Sequence, residues 1–145
     1  MKASKVRYAK SKGSNFEYNV HASLLPKYPT IYLTKQLGFQ RQFDLCDDTN
    51  YICIECKKER NTTWNAAKKY LDKLISVSPT KTNKDSIISI KYSSYLVYRC
   101  NNMPIMVMYK TGPINGKYVQ MEFQDFFEVP FIKHKSSRAP KVTPL

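Results

Sequence analysis

Asp44, Glu55 and Lys57 are the residues whose types and spacing allow chemistry: two carboxylates and an ammonium group on one short stretch of chain. A pair of carboxylates suits a hard divalent cation, which wants oxygen ligands and keeps several of its waters. An amine beside such an ion orients an attacking water, or takes its proton where nearby positive charge lowers the amine's own pKa. Together these groups are the equipment for metal-assisted attack on a phosphodiester. Taken singly they mean less, because acid-any-lysine on a solvated strand is usually a surface charge pair.

The element that must position them is a hairpin over residues 42–57. Two short runs of apolar, β-branched and aromatic residues flank Asp47-Asp48-Thr49-Asn50, a cluster of turn formers. In the second run Ile52, Ile54 and Cys56 point one way and Cys53, Glu55 and Lys57 the other. A turn centred between Asp48 and Thr49 sets Asp44 opposite Cys53 and puts Asp44, Glu55 and Lys57 on one face. A slip of one residue turns Asp44 away from the other two.

Asp44 followed by Glu55-Cys56-Lys57 resembles the signature of the PD-(D/E)XK nuclease superfamily, an acid on one strand and acid-any-lysine on the next. Phe43 stands where that signature often has proline, and the short spacing between the acids requires a tight hairpin. Lys12-Gly13-Ser14-Asn15-Phe16-Glu17 resembles the segment that opens the first helix of archaeal-type Holliday junction resolvases. The resemblance spans roughly residues 10–75, and more loosely to about 125. It implies a restriction-endonuclease-like fold of the α/β (α+β) class, with a mixed central sheet flanked by helices. It further implies that Asp44 and Glu55 hold Mg²⁺ or Mn²⁺, with the Cys56 backbone carbonyl as an additional ligand. Glu17 completes or supports that shell, Lys57 orients the attacking water, and the active species is a homodimer that nicks a four-way junction in pairs. Asn61 and Asn65 are the candidates for the polar residue the family carries after its lysine.

Composition agrees with a polyanionic partner. Twenty-four Lys and Arg against eleven Asp and Glu give a net charge of +13, and neutralising phosphates releases condensed counterions. Lys10, Lys12, Ser14, Arg41, Lys58, Arg60, Lys68 and Lys69 are the candidate contacts to branched or duplex DNA. No small-molecule cofactor and no membrane partner are expected. No stretch approaches the length of a spanning helix and the N-terminus lacks the apolar core of a signal peptide, so an intracellular protein, cytoplasmic or nuclear, is expected. Two rivals remain open: a sequence-specific restriction or homing endonuclease of the same fold, and a basic architectural DNA-binding protein whose motif is accidental.

The 145 residues, 42% hydrophobic, suffice for one core and hardly for two. Residues 1–12 read as a basic flexible arm, 13–132 as the nuclease domain and 133–145 as a basic flexible tail. Ser14 is a good N-cap, with Glu17 completing a capping box, which is the structural alternative for that glutamate. Phe16, Val20, Leu24 and Leu25 form the stripe of a first helix, in which His21 reads as a packed or surface residue. Thr30 to Thr34 read as a first strand, with Lys35 and Gln36 leading towards the hairpin. Trp64, Ala67, Tyr70, Leu71, Leu74 and Ile75 form a second amphipathic helix that ends near Pro79, with Trp64 expected between helix and sheet. Ile87, Ile88 and Ile90 suggest a short strand. Residues 95–99, 105–109 and 117–123 read as further strands, the last two joined through Asn115-Gly116, a strong hairpin signal. Phe126, Phe127 and Phe131 are expected to cap the core or form a dimer surface. The four cysteines read as free thiols, with zinc at Cys53 and Cys56 as the lesser alternative.

Overall fold

The computed structural model describes residues 15–37, 42–82, 89–101, 103–112 and 115–132. The expectations for the basic arm and tail, and for Lys10, Lys12, Ser14 and Arg41, lie outside those residues, as do Ile87 and Ile88. A helix over residues 15–24 (α1) leads to β1 (Tyr32–Leu33), a 3-10 turn (Thr34–Leu37), β2 (Leu45–Asp47) and β3 (Ile52–Glu59). Helix α2 (Trp64–Val77) follows, then the short strands β4 (Thr80–Thr82) and β5 (Ser89–Lys91). The chain continues through β6 (Ser93–Cys100), β7 (Met106–Lys110), β8 (Tyr118–Glu122) and α3 (Phe123–Phe127). Six strands form a mixed sheet in the order β1-β2-β3-β6-β7-β8, with β3 and β6 parallel and every other pair antiparallel. Strands β4 and β5 pair separately.

Period-two alternation distributes the core between the two faces of this sheet. Ile52, Ile54, Cys56 and Val97 pack with Phe16, Val20 and Leu24 of α1 and with Phe123 and Phe127 of α3. Cys46, Cys53, Leu96 and Met108 pack with Ala67, Leu71 and Leu74 of α2. Helix α2 begins because the Thr63 hydroxyl accepts from the Ala66 amide at 3.1 Å, and Pro79 follows its last turn. Phe126, Phe127 and Phe131 belong to the core on the α1 side, with the Phe126 and Phe127 rings edge to face at 4.8 Å. Cys53 and Cys56 lie on opposite faces of β3, which excludes them from one zinc site. All four cysteines are free.

Three expectations need correction. The first strand is only Tyr32–Leu33. Thr30 is drawn off to the hairpin turn, and Thr34 closes onto the chain before β2, donating from its amide to the Asp44 carbonyl at 3.0 Å and from its hydroxyl to Phe43 O at 2.6 Å. Trp64 is not packed between helix and sheet. It occupies the first turn of α2, 45% exposed, and Lys68 one turn later lies over its ring at 5.9 Å. The register is two residues from the one considered above: Cys46, not Asp44, faces Cys53, with Leu45 against Ile54 and Asp47 against Ile52.

Asp47 makes that register stable. Its buried carboxylate accepts from Thr30 Oγ1 at 2.6 Å, Thr49 N at 3.0 Å, Asn50 N at 3.1 Å and Asn50 Nδ2 at 2.8 Å. Burial alone pushes its pKa up, but the bonds from Asn50, Thr30 and Thr49 outweigh this and hold it below the usual range. Its stabilisation is therefore present above the unfolded pKa and lost as pH falls through the lower folded value. Asp47→Ala leaves several donors unsatisfied and is expected to cost about 2–4 kcal/mol, read as a lower urea midpoint with unchanged slope.

Candidate active site

Four elements meet at Asp44. The Asp44 amide donates to the Ile54 carbonyl at 3.0 Å, although Ile54 is already the register partner of Leu45. Two residues of one strand thus address one residue of the other, the pattern of a β-bulge, which re-aims a side chain. The re-aimed carboxylate accepts from the Cys56 amide at 2.8 Å. It also comes within hydrogen-bonding reach of Glu55 on β3 and of Glu17 on α1. The bulge interrupts strict alternation at Asp44: Phe43 and Cys46 pack on the α2 side, and Leu45 between them on the α1 side.

The electrostatics follow from this crowding. Burial, then the hydrogen bond and charge of Glu55, push the Asp44 pKa up to about 8, against the pull of the Cys56 amide. Burial and the Asp44 charge likewise raise Glu17, in spite of Lys35. Burial and the three neighbouring carboxylates push the Cys56 thiol well up, so it stays protonated and packs as an apolar group.

Among the described residues, Lys35 is the cation bonded to this centre. It sits on the 3-10 turn, next to Thr34, whose amide is bonded to Asp44. Its ammonium lies 3.1 Å from Glu17 Oε2 and 4.4 Å over the Tyr18 ring. Burial lowers its pKa, and contact with Glu17 more than reverses that, leaving it raised. The sequence placed Lys35 near the hairpin but gave no sign of its partner, which is 18 positions upstream on a different element.

Lys57 shares the alternation of Glu55 along β3, and its ammonium stands 4.8 Å over the ring of Tyr70 on α2. The Tyr70 hydroxyl in turn donates to Glu59 Oε1 at 2.7 Å. Of the candidate DNA contacts, Lys58, Arg60 and Lys69 are exposed. Lys68 lies between two rings, 5.9 Å from Trp64 and 5.1 Å from Tyr118. Arg60 and Asn61 line an open cavity of about 370 Å³ beyond the ends of β3 and β6, while Asn65 is exposed. His21 is a packed histidine: its Nε2 donates to the Ile31 carbonyl at 3.0 Å, and burial lowers its pKa.

Among the described residues no three His, Cys, Asp or Glu side chains form a ready-made cage for a metal. Glu17, Asp44 and Glu55 instead form a chain with Asp44 at its middle. That arrangement fits Mg²⁺, which is usually held by one or two carboxylates and completes its shell with water. The raised Asp44 pKa points the same way: the ammonium of Lys35 is bonded to Glu17 and offsets only part of the charge of three crowded carboxylates, and a dication supplies more. No helix among the described residues is long and apolar enough to cross a membrane.

Comparison with family models, with curated proteins and with solved structures returned no match for this chain.

Proposed function

We propose that the chain is a divalent-metal-dependent endodeoxyribonuclease acting on branched DNA, with the four-way junction as its substrate and a homodimer as its working form. The observation that carries this is the placement of Asp44: held by the Cys56 amide, it comes within hydrogen-bonding reach of both Glu55 and Glu17. The order of elements supports a restriction-endonuclease-like fold. A helix precedes three antiparallel strands, a second helix crosses over, and the next strand enters parallel to the third. The net charge of +13 supports a nucleic-acid substrate.

In this reading Asp44 and Glu55 hold Mg²⁺ or Mn²⁺, with Glu17 and the Cys56 carbonyl in support. When bound, the ion supplies Lewis-acid stabilisation of the charge that develops on the phosphoryl and leaving oxygens. Lys35 holds Glu17 in place and balances part of the acidic charge. Lys57 orients the attacking water from the face it shares with Glu55. Displacement in line leaves a 5′-phosphate and a 3′-hydroxyl. Two symmetric nicks require two copies of the site, which is what a dimer provides.

The test is cleavage of a four-way junction with Mg²⁺, beside a linear duplex of the same sequence. Paired cuts confined to the junction are expected. Cuts at one sequence in the duplex would favour a restriction or homing endonuclease. Binding without cutting, unchanged in Asp44→Ala and Glu55→Ala, would favour an architectural protein.

A further inference from the structure

Arg99 on β6 faces Lys58 on β3, and Val97 faces Cys56 two residues back along the same parallel pair. Cys56 and Val97 belong to the core on the α1 side, so alternation puts Lys58 and Arg99 on that side too. Beyond them opens a cavity of about 410 Å³, lined by Arg99, Ile105, Glu122, Phe123, Gln124 and Phe131 among others. The Phe131 ring packs 5.5 Å from Phe123 and 6.2 Å from Phe16, the residue before Glu17. The cavity therefore lies against the same end of α1 that brings Glu17 to Asp44.

The Arg99 Nε is buried and, among the described residues, has no hydrogen-bond partner. Glu122 lines the same cavity but is exposed, and the ion pairs among the described residues do not join it to Arg99. The planar fork of a guanidinium matches two oxygens of one anion. An orphaned buried guanidinium donor, at the wall of an open cavity, is a site for an oxyanion. The anion available beside a nuclease centre on a chain of charge +13 is a phosphodiester of the bound strand.

We propose that Arg99 forms a phosphate-binding subsite that grips the DNA backbone next to the phosphate being cut, with Lys58 as the second positive charge. The proposal rests on the nuclease reading for its choice of anion. The subsite positions the strand and takes no part in bond making.

The experiment is anisotropy titration of a labelled four-way junction with the full-length protein in EDTA, over a series of salt concentrations. Arg99→Gln is expected to weaken binding at low salt by about tenfold and to reduce the salt slope by about 0.9, one phosphate contact. Arg99→Lys should keep the slope and lose part of the affinity, since a point charge replaces the fork. Glu122→Gln, at an exposed position where folding is not at risk, should tighten binding, and it keeps the test sharp if Arg99→Gln fails to fold. Wild-type slope and affinity in Arg99→Gln, or no change in Glu122→Gln where Arg99→Gln does not fold, overturns the subsite. Because no metal is present, the two ideas separate. Wild-type protein that binds with the expected slopes in EDTA but never cuts the junction once Mg²⁺ is supplied sinks the nuclease reading and leaves the subsite. Cleavage with an unaltered Arg99→Gln slope does the reverse, and no salt-dependent binding at all sinks the subsite.

Discussion

Asp44→Asn is expected to abolish cleavage and, in the same molecule, to raise stability. The variant keeps the shape of the carboxylate and an oxygen for the Cys56 amide, so the hairpin should stay in place. It removes the charge around which Glu17 and Glu55 are arranged, and with it the affinity for a dication. A loss of about 10³-fold or more in cleavage corresponds to roughly 4 kcal/mol of barrier. Stability moves the other way because the folded protein holds this carboxylate in a poor environment. Its pKa is about 8 when folded against an ordinary 3.8, so between those values the folded state binds more protons than the unfolded one. Stability therefore falls as pH rises through that window and levels off above it. Glu17, also raised, adds to the trend with the same sign. Asp44→Asn should flatten this part of the profile and exceed wild type by roughly 1–3 kcal/mol on its alkaline side. Mg²⁺ should restore the deficit in wild type and do nothing for the variant. Melts with and without metal across the window check all of this, and a variant that cuts normally, or melts lower than wild type at alkaline pH, would sink the assignment.

The parts of this centre that were legible in the sequence share one property: they depend on strand alternation, which is local. Ile52, Ile54 and Cys56 against Cys53, Glu55 and Lys57 could be sorted by counting in twos, and the structure sorts them the same way. The register of the hairpin depends instead on where the turn closes. That is decided by Asp47, whose hydroxyl partner Thr30 lies 17 positions away. Reading Asp47 as one turn former among four missed that it is the buried anchor of the turn. The bulge at Asp44, which counting in twos does not show, then brings its carboxylate within reach of both Glu55 and Glu17. Trp64 was misplaced for a related reason. Its helical spacing matches the buried stripe of α2, but it falls in the first turn, where it remains 45% exposed. Periodicity gives direction around a helix and says nothing of where the sheet beneath it stops. Lys35 was hidden because its value comes from a contact between a 3-10 turn and α1, and neither partner's neighbours mark the pairing.

The two lysines near the acids should fail in different ways when removed, and the contrast tests the division of labour between them. Lys57 shares the side of β3 that carries Glu55, yet its ammonium rests over Tyr70 and not on a carboxylate. Lys57→Ala should therefore leave the metal concentration for half-maximal activity unchanged and lower kcat by about 10²-fold, the usual worth of one positioned proton-handling group. Lys35 is bonded to Glu17 at 3.1 Å, and its charge opposes the approach of a dication. Lys35→Gln should lower the half-saturating metal concentration by about tenfold, the order expected for one like charge removed from a partly screened site. Its kcat should fall less than that of Lys57→Ala. Calorimetric titration with Mn²⁺ reads the first effect without DNA, and single-turnover cleavage at saturating metal reads the second. If Lys35→Gln leaves metal binding untouched and loses the hundredfold in kcat, the roles are exchanged. The attacking water would then be oriented from the 3-10 turn after β1, and the lysine of the acid-any-lysine motif would act only as packing against α2.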